Sequence, residues 1–313
     1  VYDGTFTVTG DKPVLKADLD LGSYPNAVAE INISGGTFVG GIDMAKNENV
    51  HLNITGGTFS VDPNAYCATG YTATKNESGQ WVVSPKEGME ADTSVSGNTA
   101  SAEVGGTFSG NEDLGQDNVG ASNGTLSIDA TVTEGDTAAI TKTEVSIGNE
   151  ALTSVSGANS VNSVVLKTNV ADLTVDKAAW NAITKNADGA KVALTIEEKA
   201  GTGGAPLTYT VTATANGKDV YSADNATGSI KISVKYEGTD LPKVYYVGPN
   251  GLEDMKAELK DGILSWTAKH FSDYVVVSGE QKILVKESDG SLEYYGTLTD
   301  AITNAGENAV ITL

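Results

Sequence analysis

ISGGTF, Ile33–Phe38, returns 21 residues on as ITGGTF, Ile54–Phe59, with a degenerate YDGTF at Tyr2–Phe6 and a further VGGTF at Val104–Phe108. Two readings compete: a glycine-rich cradle for a phosphate, or the punctuation of a structure built by repetition. A nucleotide loop needs a helix starting just after its glycines, ideally with a Lys. Here Thr-Phe and a restarting strand pattern follow instead. Alternating apolar residues precede each full copy, Ile31 and Ile33 in one, Leu52 and Ile54 in the next, as in half-buried strands. The period matches one coil of a parallel β-solenoid. The Gly-Gly pair is expected to turn the corner between sheets with positive φ, and Phe38 and Phe59 to stack inward.

From this stretch the organisation extends outward. Residues 60–83, SVDPNAYCATGYTATKNESGQWVV, read as a closing cap, with turns at Asp62-Pro63, Gly70-Tyr71 and Gly79. SPKEGMEADT, Ser84–Thr93, is polar and proline-marked and reads as a linker. Strand-like runs follow at 100–104, 126–132, 143–147, 163–168, 191–197, 207–215, 229–236, 243–247 and 274–277. Their shortness and turn spacing point to a β-sandwich, with Asn216-Gly217 as a hairpin turn. One helix is predicted in TVDKAAWNAITKN, N-capped by Asp176, with Ala179, Trp180 and Ile183 on its apolar face. After residue 280 a hairpin around Asp289-Gly290 leads to a helix opened by a capping box, Thr297 with Asp300, with Leu298, Ala301 and Ile302 as its apolar stripe.

The expected fold is therefore mainly β. A short right-handed parallel β-helix, or solenoid, with its cap occupies 1–88, a β-sandwich with one helix 89–279, and the opening of a further solenoid 280–313. Val1 opens into patterned sequence without a basic-then-apolar leader, so the chain reads as an internal piece of a longer protein. No apolar run approaches the roughly 18 residues that span a bilayer.

Composition narrows the function. Forty-one acidic residues against 20 basic ones give a net charge of −21, which disfavours nucleic acid and anionic lipid by repulsion. The single Cys67 forms no internal disulfide, and it reads as a small buried thiol rather than a nucleophile. Asn32-Ile33-Ser34, Asn53-Ile54-Thr55, Asn76-Glu77-Ser78, Asn123-Gly124-Thr125 and Asn225-Ala226-Thr227 match the N-glycosylation pattern, as chance allows in so Asn- and Thr-rich a chain.

The GGTFS repeats with their GY cap, and the run KVYYVGPNGLEDMKAELKDGILSWTAKHFSDYVVV, Lys243–Val277, resemble modules of large multidomain surface proteins of gut Clostridia and related anaerobes. The closing YYGTLTDAITNAGENAVITL is similar to the opening of another repeat solenoid. The resemblance implies an extracellular location at the bacterial cell surface and a non-enzymatic adhesive or scaffolding role. It carries no ligand-binding residue onto a numbered position.

His270 with Asp273 has the composition of a general base and its orienter, although the apolar flanks Phe271 and Tyr274 point to a structural turn. His51, between Val50 and Leu52, is expected to face solvent. Asp18, Asp20, Asp43 and Glu48 are the carboxylates a β-helix glycosidase or lyase would use, held about 5 to 10 Å apart, but the groove of Lys, Arg and aromatic residues is missing from this stretch. GNEDLGQDN, Gly110–Asn118, gathers oxygen ligands, and Asp113 and Asp117 are the candidate calcium ligands, without EF-hand spacing. No other cofactor is expected, and no enzymatic activity.

The expected partners are a host or dietary glycan or glycoprotein, immunoglobulin included. Head-to-tail self-association is a further expectation, because the C-terminal helix and strand need a surface to cover their apolar face. The alternatives are a carbohydrate-active β-helix enzyme fragment and a ligand-free stalk spacer.

Overall fold

The computed structural model describes residues 4–8, 12–17, 29–44, 50–110, 118–133, 139–200, 207–238, 241–248, 251–277 and 283–312. It is mainly β, with several sheets, and it divides into two compact units: Val1–Glu90 with Gly105–Ser109, and Ala91–Val104 with Gly110–Leu313.

In the first unit, strands Thr5–Thr7, Ala29–Val39 and Val50–Phe59 run parallel in one sheet. Thr5, Thr37 and Thr58 fall in one register, and Phe6, Phe38 and Phe59 in the next. The repeat thus becomes a ring stack: Phe6 to Phe38 at 5.1 Å and Phe38 to Phe59 at 4.8 Å, both pairs nearly parallel. These centroid separations repeat the spacing of neighbouring strands. Ile33, Leu52 and Ile54 are buried with Phe38 and Phe59 in the core of this unit.

The glycine pair does not break the strand as expected. Ala29–Val39 and Val50–Phe59 are continuous, with an irregular register across the glycines. Each glycine has its own reason. Gly57 sits at φ +111°, and a Cβ on Gly56 would come within 2.4 Å of Ser34 O on the neighbouring strand. The pair is a bulge that re-aims Thr-Phe without ending the ladder.

A second parallel ladder joins Pro13–Ala17 to Gly41–Met44. The predicted cap is an antiparallel hairpin, Tyr71–Lys75 with Trp81–Pro85, whose second strand pairs with Val50–Phe59. The fourth copy, Val104–Phe108, stands apart from the ladder. Its strand, Thr99–Thr107, pairs with Lys142–Ile147 in another sheet.

The second unit holds two large sheets. One runs in the order Val119–Ser122, Thr125–Asp129, Ser163–Lys167, Asp172–Asp176, Ile230–Lys235, Ile263–Ala268, Glu258–Lys260. The other runs Gly251–Asp254, Lys243–Gly248, Asp273–Val277, Leu207–Ala215, Val192–Lys199, Lys142–Ile147, Thr99–Thr107, Gly88–Ser96. All nine predicted runs are strands, and Asn216-Gly217 turns Leu207–Ala215 into Lys218–Asp219 with positive φ at both residues. The stretch read as a linker is instead ordered backbone: Trp81–Pro85 and Gly88–Ser96 are both strands.

Apolar residues of both sheets face each other. Ile128, Leu166 and Leu173 from one, and Ile147, Leu194 and Ala213 from the other, line a cavity together with Trp180 and Ile183. Trp266 links the sheets again, with its ring 6.2 Å from Tyr209 and 5.6 Å from Tyr274. The helix Lys177–Ala187 forms where predicted, with Asp176 accepting from Ala179 N at 2.8 Å. A second helix, Asn149–Gly157, was not predicted. Lys177 Nζ donates to Val155 O and Ala158 O at its C-terminal end, at 2.5 and 2.8 Å, which places a cation at the negative pole of the helix.

The C-terminal segment forms a three-stranded sheet, Leu292–Tyr295, Ile283–Lys286, Val310–Thr312. Of the capping box only the N-cap half forms: Thr297 Oγ1 accepts from Asp300 N at 3.1 Å, while the Asp300 carboxylate takes the Thr297 hydroxyl at 2.6 Å. The expected apolar stripe is buried only at Ala301, while Leu298 and Ile302 are exposed. Leu284 packs instead with Tyr245, Val275 and Val277 of the large sheet.

Candidate functional site

Of the acidic candidates, Asp18, Asp20, Glu48, Asp113 and Asp117 lie outside the described residues. Asp43 is described: it is exposed on Gly41–Met44 and 3.8 Å from Lys16 Nζ on the paired strand. An exposed pair at that distance is worth little in water.

His270 and Asp273 each have a structural partner. His270 Nδ1 lies 3.1 Å from Phe271 O. A carbonyl only accepts, so in this contact Nδ1 is the donor. The imidazole also meets the Tyr246 ring edge-on at 4.8 Å, and the Tyr274 hydroxyl donates to His270 O at 2.5 Å. Asp273 Oδ1 accepts from Thr210 Oγ1 at 2.7 Å. Both residues fasten the turn that leads into Asp273–Val277.

Cys67 is half-buried, with Sγ 3.7 Å from Pro63 O. Burial, and then the nearby Asp62 carboxylate, push its thiol above the ordinary 9.0, which lowers the thiolate fraction and its reactivity. Among the described residues no cluster of His, Cys, Asp and Glu is arranged to hold a metal ion, and no helix is long and apolar enough to cross a membrane. The cavity between the large sheets holds about 20 Å³, roughly one water's worth and far below a ligand pocket.

What the structure brings together is an outward row on the parallel ladder. Glu30 and Asn32 alternate with buried Ile33 on one strand, and His51 and Asn53 with Leu52 and Ile54 on the next. The register sets Glu30 beside His51 and Asn32 beside Asn53. Asn53 Nδ2 donates to Asn32 Oδ1 at 3.2 Å and to Glu30 Oε1 at 3.4 Å. These links hold carboxamide and carboxylate groups in fixed positions on an exposed face, the kind of array that exchanges hydrogen bonds with hydroxyl-rich ligands. The sequence signal was the same 21-residue period that revealed the phenylalanines, since Asn32 and Asn53 occupy equivalent places.

The chain matches no protein-family model, and comparison with curated proteins and with solved structures finds none that is similar.

Proposed function

We propose that the chain is a non-enzymatic segment of a bacterial cell-surface protein, in which a short right-handed parallel β-solenoid is followed by a β-sandwich and by the opening of a further solenoid. The role is adhesive or scaffolding, and the binding face is the row Glu30, Asn32, His51 and Asn53. Its ligand is a host or dietary glycan or glycoprotein. The observation that carries the reading is the stack of Phe6, Phe38 and Phe59 at strand spacing, because a repeat held in one register is a rigid support for a regular outer row. Asp113 and Asp117, outside the described residues, enter the proposal only as candidate calcium ligands.

A glycan and mucin array tests this together with a reducing-end assay on the same polysaccharides. Binding without turnover, weakened by Asn53→Ala, is expected. Turnover would overturn the non-enzymatic reading, and a blank array the adhesive one.

A further inference from the structure

On the outward row of the parallel ladder, the donors of Asn53 are already taken. Its Nδ2 lies 3.4 Å from Glu30 Oε1 and 3.2 Å from Asn32 Oδ1. A carboxylate only accepts, so the Asn53 atom that faces Glu30 is the nitrogen, and this fixes which way the carboxamide points. A primary amide has two N–H groups, and the two contacts use both. What Asn53 has left is Oδ1, an acceptor. Glu30 brings two carboxylate oxygens with about four lone-pair directions, of which Asn53 takes one.

Charge points the same way. Glu30 is exposed, and neither Ala29–Val39 nor Val50–Phe59 carries a Lys or Arg. Among the described residues no cation lies within ion-pair distance of the Glu30 carboxylate. The chain as a whole carries −21, a field that attracts cations and repels acidic sugars. The spacing suits a single sugar. Equivalent side chains on neighbouring strands stand about 4.8 Å apart, and alternate residues along one strand about 6.6 Å apart. Glu30, Asn32, His51 and Asn53 occupy the corners of such a cell, about the footprint of one pyranose ring.

We propose that the row is a subsite for a 2-amino-2-deoxyhexose with a free amine, whose ammonium sits at Glu30 and whose neighbouring hydroxyl donates to Asn53 Oδ1. An ammonium offers three N–H donors and no acceptor, the complement of the acceptors left at Glu30 and Asn53. Charge-assisted hydrogen bonds of this kind are roughly twice as strong as neutral ones. N-acetylation removes the charge and puts an acyl group in the place of the ammonium. A sialic acid or sulfate group brings a second negative charge to Glu30. The row therefore selects basic glycans over neutral ones, and neutral over acidic. This inference rests on the glycan-binding reading above and gives that ligand its chemical class.

The test is isothermal titration of the full chain, in neutral buffer, with glucosamine oligomers, with N-acetylglucosamine and cello-oligomers of equal length, and with a sialylated oligosaccharide. Saturable binding is expected for the first, about fivefold or more tighter than for the two neutral series and weakening with salt, and none for the last. Glu30→Gln keeps the shape and the acceptor for Asn53 but removes the charge, and it should erase both the preference for the amine and the salt dependence. His51→Lys, which sets a resident ammonium opposite Glu30 in the register, should do the same. Both positions are exposed, so circular dichroism of the variants should match the parent chain. Equal affinity for the amine and the N-acetylated oligomers, or a preference unchanged in Glu30→Gln, overturns the inference and leaves the glycan-binding reading standing. Absence of binding by every saccharide is the failure of that reading itself, and of the inference with it.

Discussion

The carboxylate of Asp176 ties Ser229 to the start of a helix: Oδ2 accepts from Ser229 N and Ser229 Oγ, both at 2.8 Å, while Oδ1 accepts from Ala179 N at 2.8 Å. One side chain thus satisfies a donor three residues on and another 53 residues on. Asp176→Ala removes an N-cap and leaves Ser229 N without its acceptor, for an expected loss of about 2 to 4 kcal/mol from the second unit. Urea melts of the two proteins check it, and a midpoint unchanged by the substitution would contradict the tie.

The ring stack predicts opposite outcomes at its two ends. Phe59→Asp puts a charge among Phe38, Ile54 and Ala73 and should unfold the first unit, at a cost of several kcal/mol. Phe6→Asp, at the exposed end, should leave that unit folded. Circular dichroism and limited proteolysis distinguish the two. A folded Phe59→Asp protein would rule out the inward stack.

Acid should weaken the first unit through Glu90. Burial raises its pKa, but the Lys86 ammonium and the Gly70 N–H outweigh that and hold it below the ordinary 4.5. A carboxyl depressed on folding contributes stability above its unfolded pKa, and this is lost as pH falls from about 4.5 through the lower folded value. In Glu90→Gln the urea midpoint should therefore depend less on pH over that window.

Base should weaken the second unit. The Tyr221 hydroxyl donates to Thr227 O at 2.9 Å, and burial, with Asp176 nearby, pushes its pKa up to about 12. The unfolded phenol ionises near the ordinary 10.0, so from there upward the unfolded state releases protons that the folded state retains, and stability falls. Phenolate absorbance should lag at high pH and then rise together with loss of structure. Tyr221→Phe should move that alkaline transition upward.

Close backbone packing makes Gly70 intolerant of a side chain. A Cβ there would lie 2.0 Å from Gly106 N, at φ +79°. Gly70→Ala is expected to cost about 1 to 3 kcal/mol or more, as overpacking and backbone strain combine. Thermal melting should show a lower midpoint for the first unit, and an unchanged midpoint would contradict the packing.

How much of this was legible depended on whether a pattern reached the sequence. The repeats were legible because Phe38 and Phe59 fill equivalent buried places, and the helix Lys177–Ala187 because Asp176 announces it. The helix Asn149–Gly157 has Gly148 at its N-cap, without a side-chain cap, so no start signal existed. Gly88–Ser96 was read as a linker because residues 92–96 are all exposed, and an edge strand open to water has no apolar alternation to display. VGGTF at 104–108 shows the converse. Identical letters serve a different contact, Gly106 lying against Gly88 and Gly70, and only tertiary structure separates that from the ladder. The Glu30–Asn53 row shows the repeat period at Asn32 and Asn53 but no burial signal, since surface polar residues carry none.

The large sheet has an order in time as well as in space. Asp273–Val277 pairs on one side with Leu207–Ala215 and on the other with Lys243–Gly248, so the sheet stays split until residue 277 has left the ribosome. The residues of the first unit end at Ser109, and its hairpin joins strands close in sequence. Local pairings form early and distant ones late. During synthesis, the first unit therefore has more than 160 residues' worth of elongation, roughly 10 to 30 seconds at usual rates, in which to fold before the second can close.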